Sequence, residues 1–208
     1  MAAGALSACR HWVFDLDGTL TLAVHDFALI RRELEIPAGH DILGYLGGLP
    51  AAEAAAKRAW LIAHERALAD ASIAAPGAVE LLRSLHGRRC ALGILTRNDH
   101  ALARLTLAEI GLGDLFPQDA IIGRDEAIPK PHPAGLLLHA ARWGVPPTGL
   151  VMVGDHGYDL EAGRAAGART VYVGAHNPWP HLSDHAFGDC GRLLEALEAE
   201  ALAVTSAR

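Results

Sequence analysis

Apolar residues in this chain come in short runs that stop at polar clusters. These runs alternate with stretches in which apolar positions recur every three or four residues. The first run, His11-Trp12-Val13-Phe14, ends in Asp15 and then Asp17-Gly18, which reads as a buried strand over 11–15 stopping at a loop. Beyond Pro76-Gly77 the two patterns alternate regularly. They predict helices over 78–86, 99–110, 133–143 and 158–166, strands over 90–95, 120–122, 150–153 and 170–173, and a last helix over 192–202. Alternating strands and helices require crossover connections, so the fold expected is α/β, a Rossmann-like doubly wound parallel sheet with helices on both faces. Ligands of such sheets sit at the carboxyl ends of the strands.

Between the first strand and Pro76 the pattern is helical throughout. Phe27 to Leu34 forms one amphipathic stretch, Ile36-Pro37-Ala38-Gly39 breaks it, a glycine-rich segment runs from 44 to 50, and an alanine-rich helix covers 51 to about 71. We read this as a small helical cap domain over 23–75, inserted into an α/β core of 1–22 and 76–208, with hinges near Leu22 and Ala75. At 208 residues the chain has room for both parts.

Composition narrows the possibilities. An apolar fraction of 51% with 20% charged residues fits a packed core and excludes a disordered or fibrous chain. The net charge of −6 is mild, which gives no electrostatic reason to expect nucleic acid or an anionic membrane as partner. No run is long enough to span a bilayer. Cys9, Cys90 and Cys190 are too few and too widely spaced for a disulfide framework or thiolate zinc site, so a cytoplasmic location is expected. Leu6-Ser7-Ala8-Cys9 looks like a lipoprotein cleavage site but lacks the basic and apolar regions that should precede one. Only Lys57 and Lys130 are lysines, which draws attention to Lys130 and its setting.

Four polar clusters fall after predicted strands. In Asp15-Leu16-Asp17-Gly18-Thr19, carboxylates two residues apart point the same way if strand geometry persists, an arrangement suited to a divalent cation or a phosphate with neutralising groups. A plain Asp-Gly turn is the alternative. The second cluster is Thr96-Arg97-Asn98, where the Thr96 hydroxyl and the helix opening suit an oxyanion; equally, Thr96 or Asn98 caps the helix. In the third, Pro129-Lys130-Pro131-His132-Pro133, prolines hold Lys130 in an extended loop that fixes its ammonium, with His132 part of that loop. The fourth is Gly154-Asp155-His156-Gly157-Tyr158-Asp159. Asp155 suits a hard cation, and Asp159 either orients Asp155's neighbours or Lys130 from behind, or serves as a helix N-terminal charge.

Taken together, these segments resemble the haloacid dehalogenase superfamily, in particular its phosphatase-like members with a helical cap inserted after the first motif. The resemblance runs from His11 to about Gly174. It implies Asp15 as nucleophile and Asp17 as general acid and base, Thr96 and Lys130 as the further catalytic groups, and a Mg2+ ion held by Asp15, the Asp17 carbonyl and Asp155, with Asp159 behind them. It also implies a small phosphorylated metabolite as substrate, contacted by Thr96, Arg97, Asn98 and Lys130; His25, at the hinge, either contacts that substrate too or caps the first cap helix. A monomer or weak homodimer is expected.

Several features depart from the family's common pattern or leave choices open. His156 stands where many relatives carry a small hydroxyl residue, and either reaches the substrate's distal end or fills a loop. Asp26 either contacts substrate or caps the first cap helix. Trp179 reads as packing. A dehalogenase would not require Asp17; a phosphonate hydrolase would replace it and use a cap lysine, for which only Lys57 exists. A sugar phosphomutase of the β-phosphoglucomutase type shares all four motifs, and a non-catalytic binding module would be expected to have lost at least one. His25, Asp26, Tyr45, Lys57, Arg58 and His64 are the cap groups available for specificity.

Overall fold

The computed structural model describes residues 5–23 and 26–206. Strand β1 (His11–Phe14) is followed by helices α1 (Phe27–Glu33), α2 (Ile42–Gly47), α3 (Ala51–Ala69) and α4 (Ala78–Gly87). Then come β2 (Ala91–Leu95), α5 (His100–Glu109), β3 (Ile121–Ile122), α6 (Ala134–Trp143), β4 (Leu150–Gly154), α7 (Gly157–Ala166), β5 (Arg169–Val173), β6 (His185–Phe187) and α8 (Cys190–Ser206). The strands form one sheet in the order β3-β2-β1-β4-β5-β6, every pair parallel.

The apolar runs are continuous because both faces of the sheet are covered. Trp12, Phe14, Ile94, Val151 and Val153 pack on one face with α4, α5 and α8. Val13, Leu95 and Met152 turn to the other face, against Leu136 and Ala140 of α6 and Ala162 of α7. Two glycines permit close packing on this second face. A Cβ at Gly93 would fall 2.6 Å from the His139 ring, and one at Gly135 would fall 2.2 Å from Leu95.

Residues 27–69 carry their own apolar cluster, Ile30, Leu34, Ile36, Leu46 and Leu61. Their chain leaves and re-enters the core side by side. The Leu22 amide donates to the Ile73 carbonyl and the Ala75 amide to the Leu20 carbonyl, each at 2.9 Å. α3 also packs against α5 of the core.

The element boundaries differ from expectation in a few places. The glycine-rich segment, to which the sequence pattern assigns no helix of its own, is partly helical: Asp41 caps α2 by accepting from the Gly44 amide at 2.8 Å, and burial of Leu46 outweighs the glycines' poor helix propensity. β6 is an edge strand of three residues, none of them buried, too short to show in the hydrophobic pattern. Lys130 and Pro131 lie in a turn instead of an extended stretch. α8 starts two residues before the expected 192 and runs on to Ser206.

Candidate active site

The strand order reverses at β1, which lies between β2 and β4. The connection from β1 leads to one side of the sheet, and the chain crosses to the other only after β3. A crevice therefore opens at the carboxyl ends of β1 and β4. Asp15 is the first residue after β1, Thr96 the first after β2, and Asp155 the first after β4. The turn between β3 and α6 carries Lys130 into the same space.

Lys130 is the centre of this arrangement. Its ammonium, buried at 3% exposure, lies 2.5 Å from Asp15 Oδ1 and 2.7 Å from Asp159 Oδ1. The other Asp159 oxygen accepts from the His156 amide at 3.0 Å, completing a capping box at the start of α7. Gly154 is what allows the Asp159 carboxylate to lie there, because a Cβ would meet its Cγ at 2.3 Å. Asp159 is thus both a helix N-terminal charge and an anchor for Lys130.

Asp155 is held from the other side. Its Oδ1 accepts from the Thr19 hydroxyl at 2.9 Å, and its Oδ2 lies where a side chain at Gly18 would collide, 2.4 Å from the Cβ position. Gly18 also has φ +88°, a conformation that other residues adopt only with strain. Both properties explain the glycine in the Asp-Gly-Thr sequence.

Asp15, Asp155 and Asp159 each offer an oxygen within 4.8 Å of the other two. Three carboxylates face one ammonium, and burial together with this surplus of negative charge shifts two of them. Burial, reinforced by the Asp159 charge and opposed by Lys130, pushes the Asp15 carboxyl well above the ordinary range. Burial and Asp159 likewise raise Asp155, with the Thr19 hydrogen bond opposing. Burial disfavours the Lys130 charge, but Asp15 and Asp159 override it and hold its pKa above the ordinary value. A buried set of hard oxygen donors with surplus negative charge fits a divalent cation such as magnesium. Asp159 is the least available donor, since Lys130 and the His156 amide take both its oxygens.

Above these groups is a cavity of about 270 Å³ lined from the core by Asp15, Asp17, Thr96, Arg97, Asn98 and Lys130, among others. Thr96 Oγ1 accepts from the Asn98 amide at 3.0 Å, so its own hydrogen can be offered to an acceptor in the cavity. The Asn98 side-chain oxygen accepts from the Asp99 amide at 2.8 Å, a local turn contact. Arg97 donates to the Lys130 carbonyl at 3.1 Å, pairs with Asp41 of the inserted segment, and lies over the Tyr158 ring at 4.8 Å. It therefore braces the Lys130 turn and joins it to α2.

His25 lies outside the described residues. Asp26 caps α1, accepting from the Leu29 amide at 2.9 Å. His156 caps α7 through Nδ1 and packs on Tyr158 and Trp179, whose ring lies over Gly157, yet it also lines the cavity. The Lys57 ammonium lies 2.5 Å from the Leu34 carbonyl, away from the cavity. Tyr45, Arg58 and His64 do not line it either. The inserted segment presents Phe27, Ile30, Arg31, Asp41, Ile42, Leu43, Leu61 and Glu65 instead. They do not stand out in the sequence because which side of a helix faces the core depends on how the helix docks. The acidic N-cap Asp41 was the one local signal.

Comparison with known proteins gives the family. The profile of the haloacid dehalogenase-like hydrolases matches residues 9–167. An uncharacterised hydrolase of Saccharomyces cerevisiae is 30% identical over 200 residues, covering 89% of each chain. A phosphoglycolate phosphatase of Pectobacterium atrosepticum is 30% identical over 192 residues, covering 80% of each. The crystal structure of a hydrolase from Pseudomonas syringae superposes with a TM-score of 0.76 at 24% identity, over 92% of this chain and 98% of that one. The profile runs from just before β1 to the end of α7 and so takes in all four polar clusters; this chain belongs to the haloacid dehalogenase-like hydrolases.

Proposed function

We propose that this chain is a magnesium-dependent phosphatase that cleaves a small phosphate monoester through an aspartyl-phosphate on Asp15. The observation that carries the reading is the buried Asp15 carboxylate at the topological switch point, 2.5 Å from Lys130 and grouped with Asp155 and Asp159. The phosphatase among its relatives supports the same class of reaction.

In this reading an Asp15 oxygen attacks phosphorus in line with the ester oxygen, forming the acyl phosphate as the P–O ester bond breaks. Asp17, two residues on and also facing the cavity, protonates the departing alkoxide and then takes a proton from the water that attacks the acyl phosphate. This second step returns Asp15 and releases inorganic phosphate. Lys130 and the Thr96 hydroxyl bind the non-bridging oxygens, while Asp159 holds Lys130 in position. Asp15, the Asp17 carbonyl and Asp155 would hold magnesium, which would supply the charge that lets one anion approach another. The helices of 23–75 act as a cap over the leaving group.

Asp15→Asn is expected to reduce p-nitrophenyl phosphate turnover by roughly a thousandfold or more while circular dichroism stays native. Near-normal turnover would sink the proposal. Chelation should stop the wild-type reaction and magnesium restore it. Free phosphate as product separates a phosphatase from a phosphomutase, which would return an isomerised sugar phosphate.

A further inference from the structure

The end of the cavity away from Asp15 differs in character from its floor. The inserted helices contribute five apolar side chains, Phe27 and Ile30 from α1, Ile42 and Leu43 from α2, and Leu61 from α3. Their polar contributions are largely spoken for. Asp41 is paired with Arg97, and Glu65 forms a two-pronged ion pair with Arg124 at 2.9 and 3.0 Å. No Ser, Thr, Asn or Gln of the inserted segment lines the cavity among the described residues. Arg31 alone among these cap groups retains a buried donor, its Nε, with no partner among the described residues.

This matters for what the roof accepts. A hydroxyl moved from water into an apolar space loses hydrogen bonds, and the loss recurs for every hydroxyl left without a partner. A polyol leaving group would bring several hydroxyls to a roof in which, among the described residues, Arg31 Nε is the one buried nitrogen without a partner. An apolar leaving group gains by burial against the same surface. A volume of about 270 Å³ also falls just under the range of drug-sized ligand pockets, which favours a compact group.

We infer that the substrate is a phosphate monoester of a compact, predominantly apolar alcohol bearing at most one hydrogen-bond acceptor, which Arg31 receives, and that sugar phosphates are poor substrates. This rests on the phosphatase reading above and extends it to substrate class.

The test compares cyclohexylmethyl phosphate with glucose 6-phosphate, both six-membered rings esterified through a primary carbon. The glucose ester has the more acidic leaving alcohol, so intrinsic reactivity works against the expected order. With magnesium present, kcat/KM for cyclohexylmethyl phosphate should exceed that for glucose 6-phosphate by at least about tenfold. Leu43→Asn, which adds a hydrogen-bonding amide to the roof, should lower that ratio at least roughly threefold. A ratio at or below one in the wild-type protein would overturn the inference, as would a ratio unmoved by Leu43→Asn. Acetyl phosphate, whose acetyl group is too small to depend on the roof, separates the two levels. If it is hydrolysed while the ratio fails, only the substrate class is wrong. If none of the three compounds is turned over, the phosphatase reading fails with it.

Discussion

The ion pair between Glu65 of α3 and Arg124 of the loop after β3 joins the inserted helices to the core, and replacing Glu65 by Met tests whether it bears stability. The two side chains are 10% and 11% exposed, and Arg124 Nη1 lies 2.9 Å from one carboxylate oxygen. At an effective dielectric constant of about 20, unit charges at that distance attract by about 6 kcal/mol. That is an upper limit, because forming the pair also cost both ions their hydration. Glu65→Met removes the attraction but leaves the Arg124 guanidinium largely buried with no carboxylate, a situation that typically costs 3–5 kcal/mol. The remaining exposure lets some water reach the guanidinium, so a loss of about 3 kcal/mol is expected. With a urea m-value of roughly 2–3 kcal/mol/M for a chain of this size, the unfolding midpoint should fall by roughly 1 M or more. Arg124→Met should cost a similar amount, and the double variant should recover most of it, because paired methionines leave no charge stranded. A loss under about 1 kcal/mol for Glu65→Met, or a double variant equal to the sum of the singles, would refute the reasoning.

Gly154→Ala should displace the Asp159 carboxylate, whose Cγ would lie 2.3 Å from the new Cβ, and so loosen Lys130. Overpacking alone costs about 1–3 kcal/mol, and kcat should fall at least roughly tenfold with less effect on KM; a native melting temperature and unchanged turnover would contradict the positioning role of Asp159. His139 titrates at about 4, lowered chiefly by burial, with the Ile94 carbonyl hydrogen bond opposing and Arg142 adding to the shift. Between about pH 4 and its ordinary value of 6.5 the unfolded chain binds a proton that the folded chain refuses, so stability rises with pH across that window. Acidification through it should cost about 3 kcal/mol, and urea titrations of His139→Gln should show a correspondingly flatter dependence.

Much of the sheet and of the crevice at its carboxyl ends was legible because its signals are local. A strand buried on both faces must be apolar throughout, so its end is marked where acids and glycine begin, as at Asp15 and Asp155. The parallel-sheet rule then gathers such ends into one crevice. That rule is why Asp15 and Lys130, 115 residues apart in sequence, belonged to one site on paper and touch in the structure. Gly18 and Gly154 were visible as glycines, but the carboxylates that occupy the space of their missing side chains were not.

The inserted helices were legible as helices and little more. Their candidate polar groups Tyr45, Lys57, Arg58 and His64 turn away from the cavity, while Arg31, Asp41 and Glu65 line it. Sequence alone determined the fold class, the alternation of the principal strands and helices, and the residues at the strand ends, because hydrophobic periodicity and strand termination are written within a few neighbouring positions. Only the tertiary structure decided that Arg97 meets Asp41, that Glu65 meets Arg124, and that apolar side chains form the roof. A charge in a sequence does not specify its partner, and a short helix presents a different face for every way it can dock.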